Sequence, residues 1–189
     1  MPNNPFNPIA AKTRLRVNGT LASKKKVSIS AYLDTCLVSA LVKRDIRSEE
    51  LTALENILSY FDRGEISLVC SSAVEEELMK IPANYRGPHL RQLQLFKSIP
   101  RTRPGGLTRL TPAGVPGTNF DRVLWERLRK LLPDVADAEH VFIAAQNRVT
   151  HLVTVDGRTL LKHKAAVLKM CGVSVVTPLG FTHAAVIAS

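Results

Sequence analysis

The chain has 189 residues, 45% of them hydrophobic, which suits one well-filled core and is marginal for two. It carries 26 Lys and Arg against 16 Asp and Glu, a net charge of +10. That balance favours polyanions, nucleic acid first, with an acidic membrane surface or an acidic protein behind it. No apolar run approaches the roughly 20 residues of a bilayer span, so no membrane partner is expected.

Residues 1–26 are rich in Asn and Pro, then basic, and end in Lys24-Lys25-Lys26. They read as a basic, poorly ordered arm, with no apolar middle region of a secretory signal. Residues 27–33 read as a strand and 35–44 as a helix. Ser48 then stands as the N-cap of a second helix, whose apolar positions Leu51, Leu54, Ile57, Leu58 and Phe61 keep the 3.6 period until Gly64 closes it. A short apolar strand follows at 66–70, and Ser71-Ser72 is placed to cap a helix containing Glu75-Glu76-Glu77-Leu78. Leu90, Leu93, Leu95 and Phe96 suggest further helix. Residues 99–119, rich in Pro, Gly, Thr and Arg, read as a long loop. The spacing predicts an amphipathic helix over 120–132, with Val123, Leu124, Leu128 and Leu131 inward. A helix over 137–148, a strand over 151–155, a helix over 158–170 and a strand over 173–176 complete the order, with Pro178 just beyond.

Short apolar strands alternating with helices predict an α/β fold: three layers, α/β/α, around a central, mainly parallel sheet. One domain is expected over 27–182, with a tail at 183–189. Cys36, Cys70 and Cys171 are odd in number and far apart, and each lies in or beside an apolar run. They read as free thiols in a reducing, cytoplasmic setting.

Four acids are placed for chemistry. Asp34 follows "SAYL", Glu77 lies on the helix after "ISLVC", Asp156 ends "HLVTV", and Asp137 starts the helix leading into that strand. Parallel sheets bind ligands at the carboxyl ends of their strands, so the topology can gather all four. Bare carboxylates would repel one another there, and a hard divalent cation, Mg²⁺ or Mn²⁺, would resolve this. Metal ions held by carboxylates can drive phosphodiester hydrolysis without a Ser or Cys nucleophile.

Each acid also has a structural role open to it. Asp34 and Asp137 suit helix N-termini, the three glutamates suit a solvated face, and Asp156-Gly157 suits a turn. Among their neighbours, His140 shares a helical face with Asp137, Asp134 suits a turn after Pro133, and Thr154 could bond a ligand or fill a strand. Arg101, Arg103 and Arg109 could track RNA or be solvated, and Trp125 suits packing better than base stacking. A covalent phosphotransfer centre on Asp34 lacks a convincing second acid and lysine.

The pieces "YLDTCLVSAL", "SSAVEEEL", "DAEHVFIAAQNRVTHLVTVDGRTLL" and "GVSVVTPLGF" together resemble the PIN-domain nucleases, including the VapC-like toxin ribonucleases. The resemblance spans 27–181. It implies a Mg²⁺- or Mn²⁺-dependent endoribonuclease, with Asp34, Glu77, Asp137 and Asp156 as the catalytic, metal-holding acids. It also implies RNA as substrate and, as in many members, a small antitoxin protein partner and a homodimer. Cys36 departs from the family, which commonly has Asn or another small polar residue there. His140 holds the spacing before Ile143 at which many members carry the third acid. A non-catalytic nucleic-acid-binding module on the same fold is the alternative reading.

Overall fold

The computed structural model describes residues 29–95 and 121–188. The arm, the 99–119 loop and the three loop arginines therefore lie outside the described residues. The elements are β1 (Ser30–Leu33), α1 (Thr35–Lys43), α2 (Ser48–Asp62), β2 (Ser67–Val69), α3 (Ser72–Lys80), α4 (Ala83–Leu95), α5 (Arg122–Leu131), α6 (Val135–Gln146), β3 (His151–Val153), α7 (Lys164–Cys171), β4 (Ser174–Val176) and α8 (Pro178–Ala188). A short 3-10 turn, Leu161–His163, leads into α7. The fold is α/β, as expected, and among the described residues every strand pairing is parallel.

The four strands lie in the order β2-β1-β3-β4. The register sets Tyr32 opposite Val69 on one side and Leu152 on the other. Ala31, Tyr32, Leu33, Leu68, Leu152, Val153 and Val175 are all buried, as strands covered on both faces require. Each buried Leu or Val among them contributes about 1.5–3 kcal/mol, which helps such short strands hold a register.

The order also fixes where a ligand can go. From β1 the chain first crosses to β2 on one side, then returns past β1 to place β3 on the other. Right-handed crossovers in opposite directions put their helices on opposite faces, an arrangement compatible with three layers. The packing follows this: α8 lies on α2, whereas α5 lies on α6 and α7. The β1/β3 boundary is thus the point where the winding reverses, and a crevice opens there beyond the strand ends.

Several boundaries differ from the sequence expectation, each for a local reason. Arg47, not Ser48, is the N-cap of α2, and its carbonyl takes the Leu51 N–H at 2.9 Å. Gly64 closes α2 as expected, at φ 72°, with Gly64 N–H to Phe61 O and Glu65 N–H to Tyr60 O both at 2.9 Å. That left-handed residue completes a Schellman turn. On α5 the inward stripe is Leu124, Trp125, Leu128 and Leu131, and Val123 is 67% exposed rather than inward. Trp125 packs edge-on against Phe142 at 5.7 Å, the packing role expected for it.

Helix α6 begins at Val135 rather than 137, because the Asp134 carboxylate caps it through the Ala136 N–H at 2.8 Å. The expected single helix over 158–170 begins late, since Asp156 holds a turn first. Its Oδ1 takes the Arg158 N–H at 2.9 Å, and its carbonyl takes the Leu161 N–H at 3.0 Å. The expected end of the domain at 182 falls inside α8, and Ala185 beyond it is buried. The stretch read as a tail therefore carries core.

Candidate functional site

At the β1/β3 ends the chain forms a cleft of about 540 Å³. Asp34, Glu77, Asp137 and Asp156 all line it, with His140, Asp134 and Cys36; Lys43 and Arg158 stand exposed at its rim. The four acids come from the residue after β1, from α3, from α6 and from the turn after β3, so the topology gathers them as expected. Of the three consecutive glutamates, Glu77 is the one on this cleft.

Asp34 is not a side-chain cap of α1. It occupies the N-cap position of α1 in extended backbone, φ −79° and ψ 152°, yet its side chain caps nothing. Its carboxylate is 5% exposed and turns toward β3, where Thr154 Oγ1–H donates to Oδ2 at 2.7 Å. Thr154 is fully used: its Oγ1 also takes the Asp156 N–H at 3.0 Å and lies 3.0 Å from Cys36 Sγ. Its single hydrogen goes to Asp34, so the thiol hydrogen of Cys36 is the donor in that last contact. The Val155 N–H in turn points to Cys36 Sγ at 3.3 Å. Cys36 therefore packs where a polar residue was expected and supports Thr154. Burial, then the charge of Asp34, pushes its thiol pKa up, away from a reactive thiolate.

His140, one turn along α6 from Asp137, is 1% exposed. Its Nε2–H donates to Glu77 Oε2 at 3.1 Å and stands 3.6 Å from Asp34 Oδ1. Thr35 Oγ1 is 3.3 Å from the same nitrogen. Its Nδ1 lies 2.7 Å from Tyr32 Oη, which is 2.6 Å from Ser71 Oγ. Ser71 is the N-cap of α3, but its hydroxyl serves Tyr32 instead of the helix. His140 is thus the satisfied buried histidine expected, and its partners are the site acids. Burial opposes its charge; the Glu77 hydrogen bond and the nearby carboxylates outweigh this and raise its pKa to about 9. For Glu77, burial raises the pKa, but the bond and charge of His140, with Thr35 and Lys80, bring it below the ordinary value.

Asp137 and Asp156 meet at Thr159, whose Oγ1 contacts one carboxylate oxygen of each. One hydroxyl has one hydrogen, so it serves only one of the two. Burial first, then the charges of Asp34, Asp134 and Asp156, raises the Asp137 pKa to about 6, against the bond from Thr159. Asp156 goes the other way. Burial would raise it, but Thr159 and the backbone N–H groups of Arg158, Leu160 and Thr159 hold it low. The expected turn at Asp156-Gly157 and the cleft position of Asp156 are therefore both present.

Tyr32, Thr35 and Thr159 were not anticipated from the sequence. A signal existed for Tyr32: a phenol in a buried strand must find a hydrogen-bond partner. Thr159 lies three residues past Asp156 in a turn, a spacing that read only as helix start.

The donors facing the Asp137–Asp156 side of the cleft are carboxylate oxygens, the chemistry of a hard cation. Among the described residues, no three His, Cys, Asp or Glu side chains form a ready metal-binding group. Mg²⁺ does not need one, since it is commonly held by one or two carboxylates, with waters and a substrate phosphate filling the rest. The pair of carboxylates sharing one hydroxyl fits that pattern. The chain matches no protein-family model, no curated protein and no solved structure.

Proposed function

We propose that this chain is a PIN-like, Mg²⁺- or Mn²⁺-dependent endoribonuclease. The observation that carries this reading is the meeting of Asp34, Glu77, Asp137 and Asp156 in one cleft at the β1/β3 switch point. The net charge of +10 supports a nucleic-acid substrate. The acids of the cleft would hold the cation. When bound, it would neutralise phosphate charge and lower the pKa of a coordinated water for attack on phosphorus.

The chain's own residues do the positioning. Thr154 fixes the Asp34 carboxylate and the start of the Asp156 turn together. Thr159 draws Asp137 and Asp156 toward one point. His140 offsets the charge of Glu77 and Asp34 without leaving the core. Lys43 and Arg158 at the rim are placed to hold flanking phosphates.

A toxin role with a small antitoxin partner, and a homodimer, belong to the same proposal. A short reading frame beside the gene and light scattering in solution test these two points. The second reading, a nucleic-acid-binding module without catalysis, is favoured by the site side chains bonding one another rather than forming a ready metal group. Calorimetry with Mn²⁺ separates the two: heat of binding supports the nuclease, and none supports the module.

A further inference from the structure

Resting on the nuclease reading for its partner, we infer that an RNA strand runs out of the cleft across one edge, over the end of α5 and the turn into α7. There Arg127, Lys130, Arg158, Lys162 and Lys164 hold its phosphates. Charge is unevenly spread over the described residues. Residues 29–95 carry seven Lys and Arg against ten Asp and Glu, and residues 121–188 carry nine against six. With the acids that line the cleft set aside, the balance is seven against seven and nine against three. From Gly157 to Ser189 the sequence has no Asp or Glu, but it has Arg158, Lys162, Lys164 and Lys169.

The fold brings these cations to the cleft. Helix α5 ends at Leu131, three residues before the cleft residue Asp134. Arg158 lines the cleft, and Lys162 and Lys164 follow it into α7. Helices α5 and α7 pack on each other, so one ends and the other begins at the same edge. Other arginines are used by the fold: Arg47 pairs with Glu50, Arg63 with Glu65 and Arg122 with Glu126, and Arg129 lies over the Trp125 ring at 5.8 Å. Arg127, Lys130, Arg158, Lys162 and Lys164 are all exposed, and among the described residues none of them makes an ion pair. Lys162 and Lys164 also gain nothing from α7, because the start of a helix disfavours cations. The opposite edge, α1 and α3, is mixed in sign. Asp45 lines the cleft beside Lys43, Glu75 and Glu76 directly precede Glu77, and Lys80 already offsets the charge of Glu77. A strand crossing that edge meets a carboxylate next to each cation, whereas the α5–α7 edge offers successive phosphates cations alone beyond Asp134.

Two paired neutralisations in the full chain test this: Lys162→Gln with Lys164→Gln, and Arg127→Gln with Lys130→Gln. Arg63→Gln with Arg91→Gln, an equal loss of exposed charge on α2 and α4, is the control. Binding of a labelled single-stranded RNA is read by fluorescence anisotropy in chelator over a range of salt, and cleavage is read with Mn²⁺. Each pair at the α5–α7 edge should weaken binding at least about tenfold at low salt and make the slope of log affinity against log salt shallower by about 1.4, the loss of two phosphate contacts. KM should rise while kcat stays within about twofold, because the contacts hold substrate and transition state alike. The control should bind and cleave as wild type does. Equal weakening by the control, or an unchanged salt slope in the edge variants, overturns the inference and leaves the nuclease reading intact. RNA binding by wild type without cleavage in Mn²⁺ overturns the nuclease reading instead, and no RNA binding by wild type overturns both.

Discussion

Asp34 and Glu50 make an instructive pair. Both are buried carboxylates at the start of a helix, 5% and 4% exposed. Glu50 lies in the first turn of α2 and reaches across to α8. There its Oε2 takes the Leu179 N–H at 2.8 Å, while Arg47 donates to Oε1 at 3.2 Å. It satisfies an orphan donor at the N-terminus of a helix opened by Pro178, a structural role that binds α2 to α8. Asp34 stands at an N-cap position and declines the cap. Its oxygens go to Thr154 and toward His140, at the mouth of a cleft. Burial is nearly the same in the two acids, and both stand at a helix start. What separates structure from function is where the hydrogen bonds go.

The comparison is broken most severely at the Asp137–Asp156 pair. Asp156→Asn should lower Mn²⁺-dependent RNA cleavage by at least about 100-fold, because it removes one of the two converging charges at the proposed cation seat. Cleavage of a labelled RNA checks this, with circular dichroism confirming the fold. Thr154→Val comes next. It removes the hydroxyl that aims Asp34, and activity should fall about 10–100-fold, while Thr154→Ser restores most of it.

Glu50→Ala sharpens the other side. It strands the Leu179 N–H, and urea unfolding should show a loss of about 1–3 kcal/mol with cleavage per folded molecule unchanged.

The smallest effect is a pH dependence. The folded pKa of His140, about 9, lies above its ordinary value of 6.5. Its stabilisation is therefore fully present below 6.5 and is lost as pH rises through about 9. Thermal melts of the metal-free protein should fall by a few degrees between these limits. His140→Gln should show a flatter profile.

These contrasts also show what the sequence can and cannot reveal. The alternation of apolar strands and helices foretold the α/β sheet, because strand burial on both faces leaves a plain apolar signature. Asp34 and Asp156 were legible for a related reason: a carboxylate placed at the end of an apolar strand is exceptional. Glu50 was not legible, since its partner Leu179 is distant in sequence and nothing local marks the bond. Thr159 and Tyr32 were missed because a threonine in a turn and a tyrosine in a strand are ordinary until their partners are known. Val123 was misplaced because periodicity gives a stripe but not which flank of it meets the core. The late start of α7 arose from Asp156 itself, whose carboxylate and carbonyl both hold the turn that a helix pattern hid.

The most direct measurement pairs the two acids in one nuclease assay: wild type, Asp34→Asn and Glu50→Ala, with Mn²⁺ and then with chelator. The account predicts cleavage of RNA by wild type and by folded Glu50→Ala, no cleavage by folded Asp34→Asn, and loss of all activity on chelation. Undiminished metal-dependent cleavage by Asp34→Asn would contradict it.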